Sequence, residues 1–191
     1  MAKLKLGVIV GSNRRESINR KLAQALARLG RDSFEAKLIQ IDDLPIYNQD
    51  TEHPLPTPVA RFKAEVEASD AVLFVTPEHS RSIPAVLKNA IDWGARPYGK
   101  SSWPGKPAAV IGTSGGAIST AIAQNHLRAV LNSGAAMHVM GGEAYVQFKP
   151  DLIDAQGDVV DESVRKFLRT FVDQFAAFAE KFAPARAQQA A

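Results

Sequence analysis

Cysteine is absent from the 191 residues. That excludes disulfides, thiolate zinc sites, iron–sulfur clusters and thiol nucleophiles. No apolar run approaches the roughly 20 residues of a membrane span. The apolar stretch in the opening MAKLKLGVIVGS is too short for a signal peptide. A large excess of one charge is missing too, since 23 Lys and Arg stand against 20 Asp and Glu for a net +3. The basic residues are scattered, with no stripe or motif of a nucleic-acid binder. The expectation is a cytoplasmic protein with neither nucleic acid nor membrane as partner. What is present is ordinary for a globular chain, with 46% hydrophobic residues. At this length one domain is expected, burying about 70% of its unfolded surface.

Two kinds of segment alternate along the chain. LKLGVIV (4–10), FEAKLIQI (34–41), AVLFVT (71–76), PAAVIGT (107–113) and AAMHVM (135–140) are short apolar runs that read as strands. Between and after them lie helical patterns at 16–30, 59–70, 84–95, 117–134 and 161–182. The first places Ile18, Leu22, Ala25, Leu26 and Leu29 on one stripe and stops at Gly30. The last carries Val164, Phe167, Leu168, Phe171, Phe175 and Phe178 as its expected buried face. Strict alternation of buried strands with crossover helices predicts an α/β fold, a five-stranded parallel sheet covered on both faces. The four prolines of PIYNQDTEHPLPTP (45–58) predict a long loop after the second strand. The domain is expected over 1–183, with PARAQQAA (184–191) as a disordered tail.

In such a sheet ligands bind beyond the carboxyl ends of the strands, where the strand order reverses. The loops after strands one, three and four are therefore the candidate site. The first, GSNRRESINR (11–20), lacks the glycines of a dinucleotide fingerprint and the Gly-Lys-Ser/Thr ending of a P-loop. It offers instead Ser12, Ser17 and Asn19, the charge of Arg14 and a helix N-terminus, a set suited to one phosphate monoester. Ser17 equally suits a helix cap, with the arginines solvated. The third-strand loop is TPEHSRSIP (76–84) and the fourth-strand loop is TSGGAIST (113–120), whose glycines admit a flat ligand close to the backbone.

Acid–base equipment is sparse. GTSGG does not have the G-x-S-x-G spacing of a nucleophile elbow. The four histidines show no metal-ligand spacing. His138 reads as a packed core residue and His126 as a surface or interface residue, while His79 sits in a site loop. No catalytic side chain and no metal ligand is assigned. A site of hydroxyls, amides and open backbone points to a bound cofactor that does the chemistry.

Four stretches in this order, GSNRRESINRKLA, DLPIYNQD, PEHSRSIPAVLKNAIDW and GKPAAVIGTSGG, with support from EAYVQF (143–148), resemble the NADPH-dependent FMN reductase family of flavodoxin-like proteins, including bacterial quinone and chromate reductases. The resemblance runs from about residue 4 to residue 180. It implies a flavodoxin-like three-layer, doubly wound sandwich. It also implies an FMN-dependent oxidoreductase that takes hydride from NADPH, or NADH, and passes it to quinone-like, chromate, azo or flavin acceptors. The FMN phosphate is implied at Ser12, Arg14, Ser17, Ile18 and Asn19. The flavin ring is implied against Pro77, Glu78, His79, Ser80 and Arg81, with the backbone amides of Glu78 and His79 at its polar edge. Ser114, Gly115 and Gly116 border the ring from the other side. Arg15 and Arg81 are candidate contacts for the extra phosphate of NADPH. Family members are commonly homodimers or homotetramers, and the loop 94–106, with Tyr98 and Trp103, is a candidate interface or active-site wall.

Two departures stand out. The family usually reads Pro-Glu-Tyr-Asn where this chain has Pro77-Glu78-His79-Ser80, and some relatives have Ser-Pro-Gly where it has Ser114-Gly115-Gly116. A non-enzymatic electron carrier of flavodoxin type, or a flavin-binding sensor, would share the fold and the cofactor. Such carriers are typically acidic, whereas this chain is net basic.

Overall fold

The computed structural model describes residues 3–182, so the expected tail at 184–191 lies outside the described residues. The first strand β1 (Leu4–Val10) leads through the 11–17 loop to α1 (Ile18–Leu29). Then follow β2 (Phe34–Ile39), α2 (Thr57–Glu67), β3 (Ala71–Val75), α3 (Ala85–Gly94), β4 (Pro107–Ser114) and α4 (Ala121–Ala129). The chain continues as β5 (His138–Val139), β6 (Tyr145–Gln147) and α5 (Glu162–Phe182). The sheet order is β2-β1-β3-β4-β5, with β6 also on β4, and every strand pairing within it is parallel.

Both faces of the sheet are covered, which is why β1, β3 and β4 read as continuous apolar runs. On one face Leu6, Val8 and Ile111 pack against Leu22 and Leu26 of α1 and Leu168, Phe171 and Phe175 of α5. On the other, Ile9, Phe74 and Val110 meet Phe62 and Val66 of α2, Leu87 and Trp93 of α3 and Leu127 of α4. The strands thus form the middle layer of a three-layer sandwich.

The expected fifth strand is divided. β5 pairs only with Pro107 and Ala108, and the same lane resumes at β6 opposite Gly112, Thr113 and Ser114. In the gap, backbone carbonyls turn to α4 instead of β4. Arg128 donates to the carbonyls of Met140, Gly142 and Val110, and Gln124 Nε2 donates to that of Ala144. These two side chains are four residues apart and so share one helix face.

Three sequence expectations are corrected here. His138 is exposed, because β5 is a short edge strand, and its ring stacks on Phe182 at 4.2 Å between centroids. Phe167 is 44% exposed, since it flanks the buried stripe of Leu168, Phe171, Val172 and Phe175. Of the two aromatics in the 94–106 loop only Tyr98 faces outward, at 90% exposure; Trp103 is wholly buried. The Trp103 indole donates to the Ile91 carbonyl at 3.0 Å and lies 5.9 Å from the rings of both Phe62 and Phe74. α4 also begins later than the 117–134 pattern predicts. Residues 117–120 form turns, with Ser119 at φ 53°, and α4 gives way at Val130–Gly134 to a wider turn closed by Ala135 N–H on the Val130 carbonyl.

The proline-rich loop after β2 is tied to the end of α3. Asn89 Nδ2 and Trp93 Nε1 both donate to the Pro45 carbonyl, at 2.9 and 2.7 Å. Tyr47 Oη and Arg96 Nε donate to Glu52 Oε1 at 2.8 and 2.6 Å. The Arg96 guanidinium, helped by the Tyr47 hydroxyl, holds the Glu52 carboxyl below its ordinary pKa. Among the described residues, no helix is long and apolar enough to cross a membrane.

Candidate active site

Strand order reverses between β1 and β3, because β2 lies on one side of β1 while β3 and β4 lie on the other. The two strands are stitched at their carboxyl ends by the Gly11 N–H on the Val75 carbonyl, 2.9 Å. The loops after β1, β3 and β4 leave the sheet together along this edge.

In the first loop Ser17 caps α1, its Oγ accepting from the Arg20 N–H at 3.2 Å. Its own hydroxyl proton remains free to donate. The N–H groups of Ile18 and Asn19, in the first helical turn, have no partner within the helix. Ser12 Oγ and the guanidinium groups of Arg14 and Arg15 make no hydrogen bond or ion pair among the described residues. Asn19 behaves otherwise. It is buried, and its carboxamide grips the main chain of one residue in both directions, Nδ2 donating to the Thr113 carbonyl and Oδ1 accepting the Thr113 N–H, each at 3.0 Å. What Asn19 offers an anion is its backbone N–H and its second amide hydrogen.

The third-strand loop is a tight hairpin. His79 and Ser82 exchange backbone hydrogen bonds of 3.0 and 2.9 Å, with Ser80 at φ 48° and Arg81 at φ 60° between them. Positive φ at both central positions defines a type I′ turn, which favours asparagine and glycine. The His79 N–H is therefore occupied within the turn, while the Glu78 N–H stays available. Ser80→Asn is expected to stabilise the protein by about 0.5 kcal/mol, read as a rise in Tm of about 1–2 °C.

Glu78 is a residue whose role the sequence does not disclose. Its side chain is 8% exposed. Oε1 accepts from Arg81, and Oε2 accepts the N–H groups of Ile122 and Ala123 at 3.1 Å each. Thr120 makes no capping bond of its own. A carboxylate from another loop thus caps α4, favoured by the positive end of the helix dipole. Ser82 Oγ adds a second tie to His126 Nδ1, 2.7 Å. Glu78→Gln keeps an acceptor but loses the charge facing two N–H groups, so a loss of about 1–2 kcal/mol is expected, a fall in Tm of about 3–6 °C.

In the fourth-strand loop Ser114 Oγ donates to the Ser119 carbonyl at 2.9 Å and accepts from the Gly116 N–H at 3.2 Å. Gly115 and Gly116 are exposed, and a Cβ on Gly115 would meet nothing within 4 Å. Internal packing therefore does not demand glycine at Gly115; a side chain there would stand in the open space bordered by the loop. The donors of the first loop and the bare edge of the fourth fit a flat molecule with one phosphate. Among the described residues, no group of three or more His, Asp or Glu is placed to hold a metal ion.

Residues 4–151 match the model of the family described as NADPH-dependent FMN reductase. The chain belongs to this family. It is accordingly an NAD(P)H-dependent oxidoreductase with FMN as its flavin. It is 47% identical over 175 residues to a 2-hydroxy-1,4-benzoquinone reductase of a Burkholderia species, covering 92% of this chain and 96% of that one. A quinone reductase of Pseudomonas putida is also 47% identical, over 91% of this chain and 93% of the other. Among solved structures, FerB, a flavoenzyme NAD(P)H:(acceptor) oxidoreductase from Paracoccus denitrificans, superposes with a TM-score of 0.91 at 47% identity, over 94% of this chain and 98% of that one. A flavodoxin from Bacillus cereus shares the fold at 18% identity and a TM-score of 0.61.

Proposed function

We propose that this enzyme is a quinone reductase, with NAD(P)H as reductant, a quinone-type molecule as acceptor and FMN held across the three loops. When bound, FMN supplies the exchange between a two-electron hydride donor and the acceptor, chemistry that no side chain of the site offers. The observation that carries the reading is the pairing of an anion-suited loop with an open glycine edge at the switch point, in a chain half identical to named quinone reductases.

The side chains bind and orient. Ser12, Arg14, Ser17 and the N–H groups of Ile18 and Asn19 take the phosphate. Hydroxyls and arginine suffice because a monoester presents a single anionic group, where a pyrophosphate needs close approach of glycine backbone. The hairpin of Pro77, Glu78, His79, Ser80 and Arg81 offers the Glu78 N–H to the polar edge of the ring. Its fixed geometry comes from the tie of the Glu78 carboxylate to α4. Ser114, Gly115 and Gly116 leave room on the other side. Arg15, exposed and without an ion pair among the described residues, and Arg81, tied to Glu78, are the candidates for the extra phosphate of NADPH. Tyr98 and Ile46, 90% and 89% exposed, suit a homodimer or homotetramer contact, which light scattering would test.

The test is a visible spectrum of FMN-loaded protein without oxygen. Bleaching on NADPH addition and recovery on adding a benzoquinone are expected. Recovery with chromate, an azo dye or free flavin, and none with a quinone, would move the assignment to that acceptor. Absence of bleaching with either nicotinamide nucleotide would overturn the reductase reading.

A further inference from the structure

α1 begins with the wrong charge. The N-terminal end of a helix carries partial positive charge and favours anions. Its first turn nonetheless contains no acidic residue and has Arg20 at its third position; upstream of the cap, Arg14 and Arg15 outnumber the single acidic residue, Glu16. Other partly buried arginines are compensated. Arg61 meets Asp43 and Glu65, Arg96 meets Glu52, and Arg128 meets three carbonyls. The Nε of Arg20, like that of Arg128, is buried without a partner, but Arg20 alone of the two has no ion pair and no side-chain hydrogen bond among the described residues. A guanidinium left in this condition is a donor group awaiting an acceptor.

The location specifies the acceptor. Arg20 and Ser12 line one cavity of about 400 Å³ between the carboxyl ends of β1 and β2, together with Val10, Leu38, Gln40 and Asp42. Asp42 is the carboxylate in this wall, and it makes no ion pair with Arg20. Ser12 belongs to the loop assigned above to the phosphate, so the cavity opens beside that loop on its β2 flank. We infer that Arg20 is a further phosphate-binding residue, its guanidinium taking the monoester from the β2 side while Ser12, Arg14 and the first-turn N–H groups take it from the other. A dianionic monoester has acceptor capacity for both sets, and the bidentate fork of arginine matches it. This inference rests on the FMN reading.

Two flavins that differ only in the phosphate separate this role from a structural one. For Arg20→Gln, FMN is expected to bind about 10- to 100-fold more weakly, while riboflavin changes by less than about twofold. Arg20→Lys, which keeps the charge and loses the fork, is expected to fall between. The flavin-free Arg20→Gln protein should melt at the wild-type temperature or about 1–2 °C above it, since an uncompensated cation leaves the helix N-terminus. Equal weakening of FMN and riboflavin, or no weakening of FMN, would overturn the assignment. Failure of the wild type to bind either flavin would overturn the FMN reading instead. Inorganic phosphate then still decides Arg20: stabilisation of the flavin-free wild type that is lost in Arg20→Gln supports the anion site, and equal stabilisation of both, or of neither, refutes it.

Discussion

Asn19→Ala is expected to lower Tm by about 6–12 °C and to abolish FMN retention in the same variant, a loss of about 3 kcal/mol. Asn19 lies in the first turn of α1, and Thr113 lies 94 residues away near the end of β4. The carboxamide supplies both main-chain partners of one buried residue, Nδ2 for the Thr113 carbonyl and Oδ1 for the Thr113 N–H. Removing it leaves two buried backbone groups unsatisfied at once, each costing about 1–3 kcal/mol before relaxation. The same bonds hold the start of α1, and with it the first loop, against the strand that leads into Gly115 and Gly116, so the proposed site opens as the fold weakens. Asn19→Asp separates donor from acceptor: it can still accept from the Thr113 N–H but turns a carboxylate oxygen toward the Thr113 carbonyl. Its Tm should fall at least as far as that of the alanine variant. Retention of FMN by Asn19→Ala with an unchanged Tm would show that the bridge does not join the loops.

Gly112→Ala comes next in size. A Cβ at this position would lie 2.0 Å from the Thr76 carbonyl oxygen and 2.4 Å from Thr120 Oγ1. The first is backbone, so no rotamer relieves it. β3 and β4 must separate where Thr76 N–H meets the Ile111 carbonyl at 2.9 Å, and the 76–84 and 115–120 loops leave the sheet at that point. A loss of about 3 kcal/mol is expected, a fall in Tm of about 6–12 °C. FMN affinity measured by fluorescence should fall with it, because both loops proposed to border the ring shift. An alanine variant with wild-type Tm and affinity would mean that the strands have slack at this point.

Much of the frame is legible in the residues alone. β1 spans the expected 4–10, and β3 and β4 lie within a residue of their apolar runs, because strands buried on both faces carry their signal locally. α1 starts at its serine cap and stops at Gly30 for equally local reasons. The fifth strand is different. AAMHVM has strand composition, yet Arg128 and Gln124 draw the following carbonyls away from β4. Those partners lie on a helix, and no pattern within the six residues announces them. Trp103 misleads in a similar way. An aromatic in a turn-rich loop suggests a surface, but Gly94 makes room for it, since a Cβ there would come within 2.3 Å of the indole.

The site divides along the same line. The residue types and spacing by themselves determined that three βα loops meet at one sheet edge, that their donors suit a phosphate monoester and that acid–base groups are scarce. Only the tertiary structure decided which donors remain available. Asn19 is committed to Thr113, the His79 N–H to its own turn and the Glu78 carboxylate to α4, while Arg20 is left without a partner. The reason is physical: a side chain's capacity to donate belongs to its type, but its freedom to do so depends on what distant segments bring within hydrogen-bond distance.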